Sequence, residues 1–170
     1  MYSNYLGLKA SKRGDFKIAR DYFEISLNEA KQIRNKDAEG VSYNNLGEAY
    51  QSLSDFKKAI EFHQLALRIA KNTGNIDQEA TTYNNFGSAY QSLRDFKKAI
   101  EFYQLALRIA KDTGNKDGEA TTHNNLGSAY QSLSDFKKAI EFYQLALRIA
   151  KDTGNKDQEA NIYNLSLIHI

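Results

Sequence analysis

The sequence predicts an all-α protein made of stacked helical repeats. Its 170 residues contain no proline, no cysteine, a single valine and 11 tyrosines, so the β-branched runs typical of strands are missing and helix-favouring residues dominate. Apolar residues recur at helical spacing, and the whole pattern repeats every 40 residues. The missing cysteines exclude a disulfide scaffold and a thiolate metal site.

The 40-residue repeat is most easily recognised from glycines and aspartates that recur at this spacing. Residues 76–115 and 116–155 are identical at 35 of 40 positions. A repeat of this length indicates a unit that buries its apolar face only by stacking on its neighbours. Function is then expected from the surface of the stack. The markers are Gly7, Gly47, Gly87, Gly127, Asp15, Asp55, Asp95 and Asp135.

Each unit contains two helical patterns, and in the unit 76–115 the first is predicted from about Asp77 to Leu93. Asn75 and Gln78 have the spacing of a capping box at its start. The small Gly87 in the apolar stripe predicts a close approach of the partner helix, because glycine is otherwise costly inside a helix. The stripe consists of Tyr83, Phe86, Gly87 and Tyr90.

The second helix of this unit is predicted from about Phe96 to Lys111, with Asp95 as its N-cap. Gly114 is predicted to end it in the left-handed conformation. One apolar side contains Phe96, Ala99, Ile100, Tyr103, Ala106, Leu107 and Ala110. A further apolar row, formed by Phe102, Leu105 and Ile109, is predicted to face the next repeat, as expected of a helix packed on two sides.

These patterns resemble the tetratricopeptide repeat signature, which places aromatic-x2-Leu-Gly-x2-Tyr on the first helix and spaced Ala, aromatic and Ala on the second. Three units carry it: Tyr43, Leu46, Gly47, Tyr50, Ala59, His63, Ala66; Tyr83, Phe86, Gly87, Tyr90, Ala99, Tyr103, Ala106; and His123, Leu126, Gly127, Tyr130, Ala139, Tyr143, Ala146. The 40-residue period resembles the branch that includes Pins/LGN-type scaffolds and tetratricopeptide repeat protein 28. The family's frequent proline and a GoLoco motif are absent, so no G-protein partner is inferred.

The resemblance implies a right-handed α-solenoid of antiparallel helix-turn-helix repeats over residues 1–164. The expected units are about 1–35, 36–75, 76–115 and 116–155, followed by a partial unit 156–164. The first unit is weak, with Ser3 and Ala10 at two signature positions, so we expect a fragment of a longer array. Residues 165–170 abandon the repeat and match one frame of a sequencing adapter, so we expect a non-native segment there. Tyr163, Leu167 and Ile170 still allow a short final helix.

A groove is predicted on the first helices, which line the concave surface in tetratricopeptide stacks. On a helical wheel Val41, Asn45, Glu48 and Ser52 lie opposite the apolar stripe. By the same register, the predicted peptide-binding groove contains Asn45, Glu48, Ser52, Thr81, Asn85, Ser88, Ser92, Thr121, Asn125, Ser128 and Ser132, flanked by Gln51, Gln91 and Gln131.

One amide per repeat, at Asn45, Asn85 and Asn125, is the notable row in this groove. A carboxamide both donates and accepts hydrogen bonds, so it can pair with a peptide backbone without reading its sequence. The row resembles the asparagine ladders of related helical repeats. The polar, almost uncharged lining disfavours a terminal carboxylate as the ligand. The alternative is that these amides only brace adjacent helices.

Other candidate chemistry is interpreted as structural. His63 and His123 replace tyrosines of the signature and are predicted to be core residues, and no set of side chains converges as metal ligands. The recurring lysine pairs Lys57–Lys58, Lys97–Lys98 and Lys137–Lys138 indicate a solvated face, because the unit 116–155 carries five bases and five acids. The turns lack the lysine of a phosphate-binding loop.

The overall prediction is a non-catalytic scaffold that holds an extended or helical segment of a protein partner, without a cofactor. A net charge of +2 does not suggest nucleic acid, and no apolar run or secretory signal is visible, so we expect a cytoplasmic protein without membrane insertion. End-to-end self-association through uncapped terminal repeats is a further expectation. The alternatives are an RNA-binding helical repeat and a passive spacer between domains. An enzyme is disfavoured, since the repeats offer no unique pair of nucleophile and base.

Overall fold

The computed structural model describes the backbone of residues 2–167 and the side chains of residues 2–162. This part of the chain contains nine α-helices and no strand. Four antiparallel pairs follow one another as a right-handed α-solenoid, and a ninth helix covers the last pair, so the predicted fold class is confirmed. The helices are α1 (Tyr2–Lys12), α2 (Phe16–Gln32), α3 (Lys36–Ser52), α4 (Phe56–Thr73), α5 (Ile76–Ser92), α6 (Phe96–Thr113), α7 (Lys116–Ser132), α8 (Phe136–Thr153) and α9 (Lys156–Leu167).

Local capping fixes where the helices begin and end. The Asn75 side chain accepts a hydrogen bond from the Gln78 backbone N–H at 3.0 Å, and Asp95 accepts one from the Lys98 N–H at 3.2 Å. These contacts satisfy N–H groups that have no partner within the helix. Gly114 ends α6 at φ +70°, a conformation that glycine adopts without steric cost. The predicted caps are therefore confirmed.

The capping box predicted at Asn75 and Gln78 is only half formed. Instead of returning to Asn75, the Gln78 Nε2 donates at 3.2 Å to the carbonyl oxygen of Asp37 in the preceding repeat. The Asn75 backbone N–H is already bonded to the Ala70 carbonyl. The glutamine side chain is therefore free to join two repeats, which the local sequence pattern did not predict.

Glycine in the first helix lets it pack closely on the second helix of the same repeat. A Cβ atom at Gly87 would overlap the ring of Tyr103, and one at Gly47 would overlap the ring of His63. A substitution would force these backbones apart, because the ring is enclosed and cannot move freely. The predicted close approach is confirmed. The same contact recurs between Gly7 and Phe23 and between Gly127 and Tyr143.

The apolar row of Phe102, Leu105 and Ile109 faces the first helix of its own repeat, and the prediction that it faces the next repeat is wrong. Phe102 stacks on Phe86 and Tyr90 at ring-centroid distances of 4.9 and 5.4 Å. Leu105 and Ile109 pack against the same cluster. A helical wheel separates the apolar rows of a helix, but the packing angle decides which neighbour each row meets.

A different apolar row of the second helix reaches the next repeat. Ile100 and Leu107 pack with Leu126 and Ala129 of α7. In the preceding repeat the equivalent residues, Ile60 and Leu67, pack against Tyr83 and Phe86 of α5. Each second helix therefore buries one row against its own partner and another against the following repeat.

A buried polar ladder joins successive first helices. The Asn44 Nδ2 donates to the Thr82 Oγ1 at 2.8 Å, and Asn84 makes the same bond to Thr122 at 3.0 Å. Both threonines are fully buried. This ladder uses the inner asparagine of each Asn-Asn pair, which the helical pattern did not predict.

The ladder stops at the last junction. Ile162 stands where the two preceding repeats have threonine, and it is fully buried. Among the described residues, the Asn124 Oδ1 has no hydrogen-bond partner. Ile162 instead packs with buried residues of α8, including Tyr143 and Ala146.

The first helices form the inner side of the curved stack. α3 approaches α5 and α5 approaches α7, whereas successive second helices do not approach each other as closely within residues 2–167. No helix in this described part of the chain is long and apolar enough to cross a membrane. The predicted non-native segment 165–170 overlaps the end of α9. The predicted packing of Tyr163, Leu167 and Ile170 lies outside the described side chains.

We expect that replacing Thr82 with valine lowers the free energy of unfolding by about 1–3 kcal/mol, because a buried amide of Asn44 loses its acceptor. Chemical denaturation followed by circular dichroism measures the change. Thr81→Val is the matched control, since Thr81 is exposed and should change stability by less than about 0.5 kcal/mol. Equal losses at the two positions would contradict a stabilising role of the ladder.

Candidate functional site

An open groove of about 600 Å³ runs across the inner face of α3, α5 and α7. Seven of the eleven residues predicted for the peptide-binding groove line it, and the remaining lining comes from their neighbours. The predicted lining residues are Glu48, Ser52, Thr81, Asn85, Ser88, Thr121 and Asn125, and the added ones are Gln51, Asn84, Tyr103 and Gly118.

The other four predicted residues lie outside this groove. Asn45 is half-buried and donates to the Asn4 Oδ1 at 2.6 Å. Ser92 and Ser132 are exposed near the ends of their helices, where each hydroxyl donates to a backbone carbonyl one turn earlier. Ser128 is half-buried and accepts a hydrogen bond from Gln91. The predicted exposure of Val41 is also observed.

The three outer asparagines are half-buried, and each donates to a side chain of the preceding repeat. Asn85 donates to the Glu48 Oε1 at 2.9 Å, and Asn125 donates to the Asn84 Oδ1 at 3.3 Å. Bracing between adjacent helices is therefore present. Among the described residues, the Oδ1 atoms of Asn85 and Asn125 accept no hydrogen bond. Each amide thus keeps an acceptor for a ligand in the groove.

Glutamines form one rim of the groove. The Gln51 Nε2 donates to the hydroxyls of Ser88 and Ser92, both at 2.9 Å, and the Gln91 Nε2 donates to Ser128 at the same distance. These bonds join successive first helices near their C-terminal ends. They orient the serine hydroxyls, so the rim is held in place before any ligand binds.

Glu48 is the one formally charged side chain among the residues that line the groove. Ser88 and Ser128 occupy the equivalent positions of the next two repeats. Glu48 is exposed to solvent, yet its neighbours partly desolvate the carboxyl group and raise its pKa, and the hydrogen bond from Asn85 partly opposes this rise. The groove therefore has a single acidic point in an otherwise neutral polar surface.

Gly118 lines the groove at a position where the preceding and following repeats carry Gln78 and Gln158. At the last junction the Gln158 Nε2 bridges back to the Asp117 carbonyl at 3.2 Å and to the Thr121 hydroxyl at 2.9 Å. Gly118 cannot form the corresponding bridge to α5. The missing side chain leaves the groove open between the starts of α5 and α7.

The two repeat-core histidines are buried, as predicted. The His63 Nδ1 lies 3.3 Å from the Asn44 Oδ1, and its ring packs edge-on against Phe86. The Nε2 of His63 has no partner among the described residues. Burial lowers the pKa of His63 to about 4. His63 is therefore neutral at physiological pH and part of the core.

His123 has a different environment. Its Nε2 lies 3.8 Å from the Glu119 Oε1. Burial and the charge of Lys111 lower the pKa of His123, while Glu119 opposes the shift. Neither histidine lines the groove, and the described residues contain no group of three or more ligands that could hold a metal ion. His169 lies outside the described residues.

The recurring lysine pairs take part in local contacts on the outer surface. Lys98 and Lys138 each lie 4.9 Å from the centre of a tyrosine ring of the first helix. Lys138 also pairs with Asp135 at 3.1 Å. These exposed contacts contribute little individually. They agree with the prediction of a solvated face.

Comparison with known protein families supports the repeat assignment. A family model described as tetratricopeptide repeat matches residues 1–72 and 78–152, which is most of the chain. A search of curated protein sequences found no match.

Several solved structures are similar in fold. The crystal structure of BtubC (BKLC) from P. vanneervenii has 24% identity and a TM-score of 0.71, over 95% of this chain and 75% of that one. Aspartyl phosphate phosphatase F from Bacillus subtilis has 15% identity and a TM-score of 0.84, over 97% and 43%. A Rap protein complexed with competence and sporulation factor has 15% identity and a TM-score of 0.80, over 98% and 52%. The chain spans about half the length of the last two proteins.

We expect that the buried His63 makes the fold less stable in acid. The unfolded chain binds a proton near the ordinary pKa of 6.5, whereas the folded chain does so only near 4, so the free energy of unfolding falls as the pH falls through this window. The expected loss is about 2 kcal/mol at about pH 4.5. His63→Tyr, which restores the residue of the next repeats, should remove it. Denaturation of the wild type and of His63→Tyr at neutral and acidic pH measures the difference. If the free energy of unfolding fell equally with pH in both proteins, His63 would not be the cause of the acid sensitivity.

We expect that Gly118→Gln raises the free energy of unfolding by about 1.5 kcal/mol, because the helix propensity of glutamine and a hydrogen bond to the Asp77 carbonyl both contribute. Gly118→Ala is the control, since alanine supplies the helix propensity without the bridge. Urea denaturation compares the two variants. If alanine stabilised the chain as much as glutamine or more, a bridge at this position would be excluded.

Proposed function

The chain belongs to the tetratricopeptide repeat family, and we propose that it is a non-catalytic scaffold that binds an extended or helical segment of a partner protein in its inner groove. The family is generally one of non-catalytic scaffolds. The observation that carries the proposal is the open groove of about 600 Å³, whose lining is dominated by side-chain amides and hydroxyls.

The lining suits a peptide backbone. A backbone segment presents one donor and one acceptor at each residue other than proline, and the acceptor oxygens of Asn85 and Asn125 can take up its N–H groups. Each hydrogen bond contributes a net 0.5–1.5 kcal/mol or so. Affinity would therefore be the sum of several modest contacts along the groove.

The interpretation agrees with what one structural relative binds. The similar Rap protein was solved in complex with competence and sporulation factor. The present chain covers 52% of that Rap protein, and we carry over to it only the general property of binding a factor. Membership of the Pins/LGN-type branch, a cytoplasmic location and end-to-end self-association stay predictions.

RNA binding is less well supported than peptide binding. No lysine or arginine lines the groove, and RNA recognition relies on basic side chains that contact phosphates. Lys98 and Lys138, two of the recurring outer bases, are engaged with tyrosine rings. A passive spacer remains as an alternative that the experiment below separates from a binding scaffold.

We expect that Asn85→Ala combined with Asn125→Ala reduces capture of protein partners by about tenfold, because two groove hydrogen bonds are lost. The measurement is affinity capture from a lysate of the source cells by the immobilised chain, quantified by mass spectrometry. The matched control is Gln104→Ala with Gln144→Ala, which removes two amides from exposed positions on second helices.

Capture by the wild type and the control pair, with loss in the groove pair, supports the proposal. Equal capture by all three proteins would indicate that the asparagines only brace the helices. A wild-type chain that captures no protein would favour the passive spacer. Circular dichroism of each variant verifies that the helical array is intact.

A further inference from the structure

We infer that the segment held in the groove carries a lysine or arginine side chain that pairs with Glu48. The inference rests on the proposed function, because it assigns the chemistry of a ligand in the same groove. Three features carry it: the position of Glu48 in the groove, the partners of its carboxylate, and its difference from the otherwise similar repeats.

The first feature is the isolation of the charge. Glu48 lies in a groove whose other lining side chains are all formally neutral, so no neighbouring base there compensates it. Within the described residues, Glu48 forms no ion pair. Glu48 is exposed, so a ligand in the groove can reach its charge, which attracts a cation and repels an acidic segment.

The second feature is the geometry of the carboxylate. The Oε1 of Glu48 accepts a hydrogen bond from the Asn85 Nδ2 at 2.9 Å, and this bond orients the group. The Oε2 has no hydrogen-bond partner among the described residues. One oxygen is therefore held in place and the other is available, an arrangement suited to a charge-assisted hydrogen bond from a ligand.

Partial desolvation of the Glu48 carboxyl group supports the same conclusion. The neighbours of Glu48 raise its pKa, so the charged form is less favourable there than in water. A cationic partner would lower the pKa again by stabilising the charged form. The cost of holding an unpaired charge is thus offset when a basic ligand binds.

The third feature is the comparison among repeats. The position of Glu48 is occupied by Ser88 and Ser128 in the next two repeats, while the supporting glutamine rim and asparagine rows recur. The helical framework therefore does not require an acid there. Asn85 touches Glu48 directly, so a peptide backbone bound to the free Asn85 oxygen passes close to the carboxylate. A lysine or arginine side chain can span the remaining distance.

The test is selection of peptides from a phage-displayed library of random sequences of about 12 residues on the immobilised chain. Four proteins are compared: the wild type, Glu48→Ser, the double variant Glu48→Ser with Ser88→Glu, and Glu61→Ser. The serine variant introduces the residue found in the next repeats, so it should fold normally. Glu61 is exposed on α4 outside the groove and controls for net charge.

We expect wild-type and Glu61→Ser selections to share one position enriched in lysine or arginine. The enrichment should disappear with Glu48→Ser and return, shifted along the peptide, when the acid is moved to position 88. For a peptide selected on the wild type, changing that basic residue to glutamine should weaken binding about tenfold, but less than twofold on Glu48→Ser. Fluorescence anisotropy measures both affinities.

Peptides that bind the wild type and are lost with Asn85→Ala and Asn125→Ala, yet lack a basic position sensitive to Glu48, would overturn this inference and leave the proposed function standing. Selection of no peptide by the wild type would contradict the proposed function and this inference together. If lysine or arginine is still enriched among peptides selected on Glu48→Ser, the enrichment does not depend on Glu48 and reflects a general preference for basic peptides. That outcome would also overturn the inference.

Discussion

The stack depends on second helices that bury two apolar rows at once. Phe102 represents the row that packs on the first helix of its own repeat, and Ile100 represents the row that packs on the next repeat. The first contact makes a helical pair, and the second joins pairs into a solenoid. At this second contact Ile100 is only 9% exposed.

Polar contacts then fix how the pairs are arranged. Apolar burial has little directional preference, but the bond from Asn44 to Thr82 has to be made once both groups are buried. The same bond at the next junction imposes the same offset between first helices. The inner face is therefore a regular surface whose amides and hydroxyls are held in position before a ligand arrives. Such preorganisation reduces the entropy lost on binding.

Individual character comes from the few positions that depart from the repeat. Glu48 adds a charge to the groove, and Gly118 removes a bridge that Gln158 makes elsewhere. Neither residue is needed to build a repeat, since the equivalent positions of other repeats are occupied by different residues. The residues that recur in every repeat thus provide general affinity for a peptide backbone. Glu48 gives one end of the groove a charge, and Gly118 leaves the other end open.

The sequence by itself determined the helices, because their signals are local. The predicted helices from Asp77 and Phe96 differ from the observed ones by at most two residues at either end, and the caps at Asn75 and Asp95 formed as expected. Helical register and the resemblance to tetratricopeptide repeats together predicted a groove on the first helices, and seven of its eleven predicted residues line the observed groove. These properties depend on spacing along one helix, where 3.6 residues complete a turn.

Only the tertiary structure decided which neighbour each side chain meets. Phe102 packs on its own repeat, Gln78 crosses to the preceding one, and Asn44, adjacent to the predicted Asn45, makes the buried bond between repeats. A helical wheel gives the direction of a side chain about its own helix axis. The rotation and offset between helical pairs, which arise from the packing of the whole stack, determine what lies in that direction.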